Sequence, residues 1–282
     1  MDTKSDPSGQ QLKEFAGTLV LVGAGKMGSA MLTGWLGLGL NPARVTVLEP
    51  DAGADIQELT ARGLRLNPPE SARSAADVVV IAIKPQIAPQ VVPTLHTVVG
   101  ASSLAVSIMA GRTLGFLAGA LPSGSAIVRA MPNTPAAIGR GISVAVPNAA
   151  VTERQRALAH ALLAATGSVE WVDEEALLDA VTAVSGSGPA YVFLLAESLA
   201  RAGVAAGLPP ELAATLARET VAGSGELLHR SGLDAATLRQ NVTSPAGTTA
   251  AALDVLMGSD GLEALMTRAV ASATRRSREL AG

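Results

Sequence analysis

The run Thr18-Leu19-Val20-Leu21-Val22 ends in Gly23-Ala24-Gly25-Lys26-Met27-Gly28, and a segment with helical periodicity, Ser29 to Leu38, follows at once. Strand, tight turn and helix in that order, with Gly-x-Gly-x-x-Gly at the joint, is the pattern of a dinucleotide-binding turn. Gly23 permits the turn, Gly25 lets the backbone approach a pyrophosphate, and Gly28 lets the helix pack closely on the strand. The helix N-terminus adds unpaired N–H groups and a partial positive charge for the phosphates. Lys26 and Met27 lie inside the turn and join the glycines as candidate cofactor contacts. Glycines also mark ordinary turns; the strand before and the helix after favour the dinucleotide reading.

Other candidates leave later apolar runs. Glu49 follows Val45–Leu48, about 20 residues past the glycines, where an acidic residue binds the adenosine ribose in such folds. A plain surface carboxylate at a strand end is the alternative. Lys84 and Pro85 follow Val78–Ile83. In a doubly wound fold that loop faces the ligand crevice, where Lys84 is either a counter-charge for the dinucleotide or a solvated lysine. Arg129-Ala130-Met131-Pro132-Asn133-Thr134-Pro135 leaves a further run, and its two prolines stiffen the backbone around Asn133. Such a loop suits holding a nicotinamide or substrate, or else serves as a linker.

Two hydroxyl-rich motifs lie in the second half. In Ser185-Gly186-Ser187-Gly188-Pro189-Ala190, Ser187 is an N-cap candidate and Pro189 fits a first helical turn. The glycines let a flat ring approach the backbone. Thr243-Ser244-Pro245-Ala246-Gly247-Thr248-Thr249 opens another helix, with Ser244 as candidate cap. Helix dipole, backbone N–H groups and the hydroxyls of Thr248 and Thr249 together make an uncharged cradle for a carboxylate. A well-capped helix with no ligand is the bland reading of both motifs.

The elements that must position these residues fall into two kinds. Apolar runs at Thr18–Val22, Val45–Leu48, Val78–Ile83, Ser103–Ser107, Ala126–Arg129 and Ile142–Val146 alternate with helical lengths. That alternation predicts a parallel sheet, doubly wound, with helices on both faces. From Asp173 on there are only helical segments, about 173–184, 189–206, 210–230, 234–240, 245–257 and 261–281. The chain thus reads as a lead-in over 1–16 expected to be disordered, a Rossmann-type domain over 17–172, and an all-helical domain over 173–282. The second half is alanine-rich, with Tyr191 and Phe193 its only rings, so its helices can approach closely and its apolar surface calls for a second subunit.

Composition narrows the chemistry. The 282 residues are 48% hydrophobic and carry a net charge of −3, which argues against nucleic-acid binding. There is no cysteine, which excludes disulfides, thiolate catalysis and Cys-held metals. His96, His160 and His229 lack ligand spacing, so no metal is expected. There is no unbroken apolar run of 18 residues and no signal-peptide pattern at the start, so no membrane segment is expected and the cytoplasm is the default location. The four lysines are Lys4, Lys13, Lys26 and Lys84, so no mechanism can use one in the second half.

Taken together, the motifs resemble the pyrroline-5-carboxylate reductase family. The matching residues are Gly23 to Gly28, Ile83-Lys84-Pro85, Met131-Pro132-Asn133-Thr134-Pro135, the block Asp179 to Tyr191, Thr243-Ser244-Pro245 and the ending Thr274 to Leu280. Asp179 to Tyr191 is the most specific of them. Ala246 departs from the family, which usually has glycine there. The resemblance implies an NAD(P)H-binding domain, a helical domain that dimerises by interleaving, and rings of dimers. It implies Gly23, Gly25, Met27 and Gly28 at the pyrophosphate. Lys84, Pro85 and Asn133 would lie near the nicotinamide, Ser187 and Gly188 near the reaction centre. Ser244, Gly247, Thr248 and Thr249 would hold the substrate carboxylate.

The implied reaction is hydride transfer from NADPH or NADH to the C=N carbon of 1-pyrroline-5-carboxylate, giving L-proline. A protonated cyclic imine already carries positive charge and needs little acid help, which suits a site of hydroxyls and amides. Ser187 and Thr249 are the candidate catalytic residues, Thr249 (or a water) aiding protonation of an unprotonated imine. Glu49 favours NADH by accepting from a ribose 2′-OH and repelling a 2′-phosphate, whereas the resemblance leans to NADPH, so use of both is expected. Two rival readings are a β-hydroxyacid dehydrogenase, whose second-domain lysine is missing here, and a non-catalytic NAD(P)-binding protein.

Overall fold

The computed structural model describes residues 7–281. The chain divides into two compact units, residues 1–186 with 274–282 and residues 187–273.

The first unit opens with helix α1 (Pro7–Lys13), then β1 (Leu19–Val22), α2 (Lys26–Gly37), β2 (Val45–Leu48), α3 (Ala54–Glu58), β3 (Arg65–Leu66) and β4 (Ala76–Ile81). It continues through α4 (Ala88–Val91), β5 (Val99–Ser107), α5 (Leu114–Ala120), β6 (Ala126–Met131), β7 (Gly141–Pro147), α6 (Glu153–Ala164), β8 (Gly167–Trp171) and α7 (Leu177–Val181). The strands form one sheet in the order β3-β2-β1-β4-β5-β6-β7-β8. β1 pairs in parallel with β2 on one side and β4 on the other, so the strand order reverses beside β1. Ligands bind such sheets at that switch point, beyond the carboxyl ends of the strands.

Alternate residues of each strand enter opposite cores, as the two-residue period requires. Leu19, Leu21, Val45, Val47 and Val80 pack on one face with Trp35 and Leu162, while Val20, Val22, Val79 and Ile81 pack on the other with Ala88, Val92 and Leu117. Trp35 is fully buried and its indole N–H donates to the Leu162 carbonyl (2.8 Å), so its polar atom is satisfied.

Residues 7–13 correct the expected disorder. They form α1, because Leu12 is completely buried in the first core and pins the helix there. Residues 1–6 of that lead-in lie outside the described residues. The sheet is also not wholly parallel, for β7 runs antiparallel to β6. Residues 132–140 join them through a 3₁₀ turn, Thr134–Ile138, closed by Gly139 at φ 68°. That link is too short for the crossover a parallel neighbour needs. β3 and β8 escaped the sequence reading because one has two residues and the other is a half-exposed edge strand of alternating character.

Residues 173–186 group with the first unit, not with the helices after them. Leu178 is fully buried against Val144 and Val146. Buried Arg129 of β6 donates to Glu175 (2.7 Å), which also accepts the Leu114 N–H at the start of α5 (2.7 Å). A π-helical turn, Thr182–Gly186, follows α7.

The second unit holds α8 (Gly188–Ala205), α9 (Pro210–Ser231), α10 (Ala235–Asn241) and α11 (Thr248–Leu256). It also holds the start of α12 (Leu262–Ala281). Small residues set the approach of α8 to α9: a Cβ on Gly203 would sit 3.2 Å from that of Ala213. α8 has no buried residue, and Phe193, Leu194 and Leu195 are more than half exposed. The stretch Leu177–Ala205 joins α7, the π turn and α8, and by length and composition alone it could cross a membrane. The sequence raised no such segment, since it holds no unbroken apolar run of that length. The last turns of α12 return to the first unit, where the Ser277 hydroxyl donates to Asp179 (2.7 Å).

Candidate active site

Strand register explains the geometry around the glycines. Val22 is level with Leu48 and with Ile81, so Gly23, Glu49 and Ala82 leave three neighbouring strands together. The Gly23 N–H donates to the Leu48 carbonyl (2.9 Å), and the Ala82 N–H to the Val22 carbonyl (2.7 Å). Glu49 turns back onto the loop: one carboxylate oxygen accepts from the Ala24 N–H (2.8 Å), the other from the Asp51 N–H (3.1 Å). Asn67, in the left-handed region at φ 45°, clasps the Glu49 backbone from the far side. Its side-chain oxygen accepts the Glu49 N–H (2.9 Å) and its amide donates to the Glu49 carbonyl (2.8 Å). Asparagine tolerates that conformation better than most residues. The sequence reading missed Asn67; its only signal was an Asn before two prolines.

The three glycines fit a dinucleotide for three different reasons. Gly23 has φ 90°, and a Cβ there would lie 2.8 Å from the Ala82 backbone. A Cβ on Gly28 would lie 2.3 Å from the Gly23 carbonyl oxygen, so α2 can approach the turn only with glycine there. A Cβ on Gly25 would meet nothing within 4 Å, so the space over it is open. Gly25 is the N-cap of α2 without a side-chain cap, which leaves the first N–H groups turned outward beside open space. Lys26 is exposed and Met27 half-buried. This cradle suits a pyrophosphate.

Further along the carboxyl edge stand Lys84, Pro85 and Asn133. Lys84 is exposed and caps a 3₁₀ turn, Pro85–Ile87, whose first residue is Pro85. Asn133 is half-buried, and its side-chain oxygen accepts the Ile142 N–H (2.9 Å). That bond fixes the amide flip and leaves the NH₂ as the donor.

The π turn ends where Ser187 begins. The hydroxyls of Thr182 and Ser185 bond back to the Leu178 (2.7 Å) and Val181 (3.0 Å) carbonyls. π turns of this kind recur at functional sites. Ser187 holds the N-cap position of α8 that the sequence suggested, but its side chain does no capping. The backbone enters it already helical and its side chain makes no cap bond, since the π turn feeds straight into α8. Among the described residues its hydroxyl is uncommitted, as are those of Ser244, Thr248 and Thr249. Ser187 and Gly188 are half-buried.

Ser244 is not the cap of α11; Gly247 is. Ser244 to Gly247 form a turn instead, in which the Gly247 N–H donates to the Ser244 carbonyl (3.1 Å). Pro245 and then Ala246 at φ 56° give the pattern of a type II turn, whose third position prefers glycine. The turn delays the helix to Thr248, so Thr248 and Thr249 are its first two residues and their N–H groups point outward with Ala250's. Ala246→Gly removes an αL penalty of roughly 1–2 kcal/mol against a glycine entropy cost of roughly 0.5–1 kcal/mol. The expected net gain is about 0.5–1 kcal/mol, a rise in Tm of about 1–4 °C by thermal denaturation. A lower Tm would contradict the strain.

Two family models cover most of the chain. Residues 18–111 match one described as NADP oxidoreductase, coenzyme F420-dependent, and residues 175–280 match pyrroline-5-carboxylate reductase dimerisation. Over 266 residues, 93% of this chain and 96% of the relative, the sequence is 39% identical to pyrroline-5-carboxylate reductase of Pseudomonas aeruginosa. The chain belongs to the pyrroline-5-carboxylate reductase family. Among solved structures it is similar to the pyrroline-5-carboxylate reductase of Coxiella burnetii, with a TM-score of 0.87 and 32% identity over 95% of this chain and 100% of that one. It is also similar to the Plasmodium falciparum enzyme with NADP bound, with a TM-score of 0.79 and 30% identity over 95% and 99%. Membership in this family removes the β-hydroxyacid dehydrogenase and non-catalytic readings. The fold agrees: an NAD(P)-binding Rossmann-like sheet followed by the family's helical dimerisation domain.

Proposed function

We propose that the chain reduces 1-pyrroline-5-carboxylate to L-proline with NADPH or NADH, as a soluble cytoplasmic homodimer that assembles further into a ring of dimers. Family membership over 93% of the chain carries the reaction. A reduced nicotinamide supplies the hydride that adds to the C=N carbon. Gly23, Gly25, Lys26, Met27 and Gly28 hold the pyrophosphate, with Glu49 at the adenosine ribose. Lys84, Pro85 and the Asn133 amide hold the nicotinamide half. Asn133 suits this because the Ile142 N–H occupies its side-chain oxygen and leaves its NH₂ as a donor. Ser244, Gly247, Thr248 and Thr249 bind the substrate carboxylate, which gains the start of the α11 dipole and hydroxyl donors.

Ser187 and Gly188 line the reaction centre. The imine nitrogen enters protonated, so hydride addition leaves a neutral secondary amine and demands no acid of the protein. For an unprotonated imine, Thr249 or a water supplies the proton. The exposed apolar residues of α8 fit a second copy as their cover, which also accounts for the apolar Leu177–Ala205 stretch.

One experiment tests both reaction and assembly. The protein is passed over a sizing column with light-scattering detection, and fractions are assayed for loss of reduced-cofactor absorbance with the imine. Activity with both cofactors is expected in a species of at least twice the 28.3 kDa chain mass. Cofactor binding without turnover would overturn the reaction, and active protein at the monomer mass would overturn the assembly.

A further inference from the structure

Arg112 stands outside every motif described so far, yet it reaches the loop assigned to the nicotinamide. It follows β5, the strand beside β4, and Gly111 before it turns the chain at φ 69°. The half-buried Arg112 side chain runs across to the neighbouring strand-end loop, where its Nε–H donates to the Pro85 carbonyl (2.9 Å). Its guanidinium lies over the Phe116 ring, 5.0 Å from the centroid. Phe116 is itself fixed, since its N–H donates to the Thr113 hydroxyl that caps α5 (3.1 Å). Arg112 has no ion pair among the described residues. Its one directional bond goes to a loop carbonyl, and no carboxylate competes for it.

The Pro85 carbonyl is therefore held from two sides. The Ala88 N–H closes the 3₁₀ turn onto it from within the loop, and Arg112 holds it from the adjacent strand end. A charged donor makes that bond stronger than a neutral one, and the ring fixes the planar group that makes it. Lysine has no plane to stack, so the two residues are not equivalent here.

We propose that Arg112 is a positioning residue for the nicotinamide half of the cofactor site: clamped between the Pro85 carbonyl and the Phe116 ring, it sets where the Lys84–Pro85 loop stands. This rests on the proposed placement of that loop at the nicotinamide. An ångström of misplacement at a reacting centre costs on the order of 100-fold in rate, so a loop set by one bond gives a large signal.

The test compares R112A, R112K and F116L with wild type in the full-length protein. It reads kcat, the Kd of NADPH, the Kd of ADP-ribose (which has no nicotinamide) and Tm. In R112A, kcat is expected to fall about 10- to 100-fold and NADPH to bind about 10-fold more weakly, with ADP-ribose affinity unchanged. R112K keeps a donor and should recover part of the lost rate. F116L keeps the arginine and should lose about 2- to 5-fold in kcat, and it carries the same reading if R112A does not fold. Parallel losses in ADP-ribose affinity and Tm would make Arg112 merely structural, and unchanged kcat would remove its role; either result overturns the proposal. If wild type itself fails to turn over the imine, the proposed function falls. The contrast between NADPH and ADP-ribose binding still decides Arg112.

Discussion

Gly25→Ala is expected to leave folding intact and to weaken NADPH and NADH binding by about 100-fold, because its cost falls on the ligand alone. The added Cβ meets no protein atom within 4 Å, and the φ of Gly25, −66°, suits alanine without strain. Tm should stay within about 1 °C of wild type, since surface changes of this kind cost little. The methyl nonetheless occupies the open space beside the α2 N–H groups, the site proposed for the pyrophosphate. Gly28→Ala supplies the contrast. Its Cβ would lie 2.3 Å from the Gly23 carbonyl, so α2 must move off the turn, and both Tm and cofactor affinity should fall. Fluorescence titration with reduced cofactor, paired with thermal denaturation, separates the two. Normal affinity in Gly25→Ala would show that the pyrophosphate does not pass over this turn.

Thr249→Val is expected to lower kcat/KM for the imine by roughly 10- to 150-fold with no change in cofactor Kd, the value of a hydrogen bond to a charged group. Valine keeps the shape and deletes the hydroxyl. Thr249 is the second residue of α11 and its hydroxyl is uncommitted among the described residues, so the change breaks no internal bond. Ser244→Ala reads the same cradle from the other side of the turn. Because Gly247 and not Ser244 holds the cap position, that variant loses no helix cap, and a fall in efficiency would report substrate binding. Unchanged steady-state kinetics in both variants would take the carboxylate away from this helix.

The difference between Ser244 and Gly247 illustrates what a linear reading misses. A hydroxyl before proline is a sound cap signal, yet Ala246 adopts φ 56° and turns the chain once more before the helix begins. Alanine carries no mark of that conformation, as glycine would have. Ser187 differs in another way: it holds the N-cap position, but the chain arrives already helical through Thr182–Gly186, and its side chain makes no cap bond. The Leu12 helix was hidden because a single buried apolar side chain among polar neighbours makes no period.

What the sequence determined by itself was whatever depends on a residue's own shape or on near neighbours. The Gly-x-Gly-x-x-Gly turn, the apolar strands, the helical second half and the hydroxyl-rich turns before helices are of this kind. Steric freedom at glycine, fixed φ at proline and the periods of burial are local properties. The tertiary structure decided which distant groups meet. Sheet register brings Glu49 under the Ala24 N–H, and the neighbouring ends of β4 and β5 bring Arg112 to the Pro85 carbonyl. A short link reverses β7, and Glu175 reaches from the turn before α7 to buried Arg129. Each of these partners is chosen by how remote segments pack. A charged side chain finds its partner only after the hydrophobic faces have fixed the register, so that partner cannot be read from its own stretch of chain.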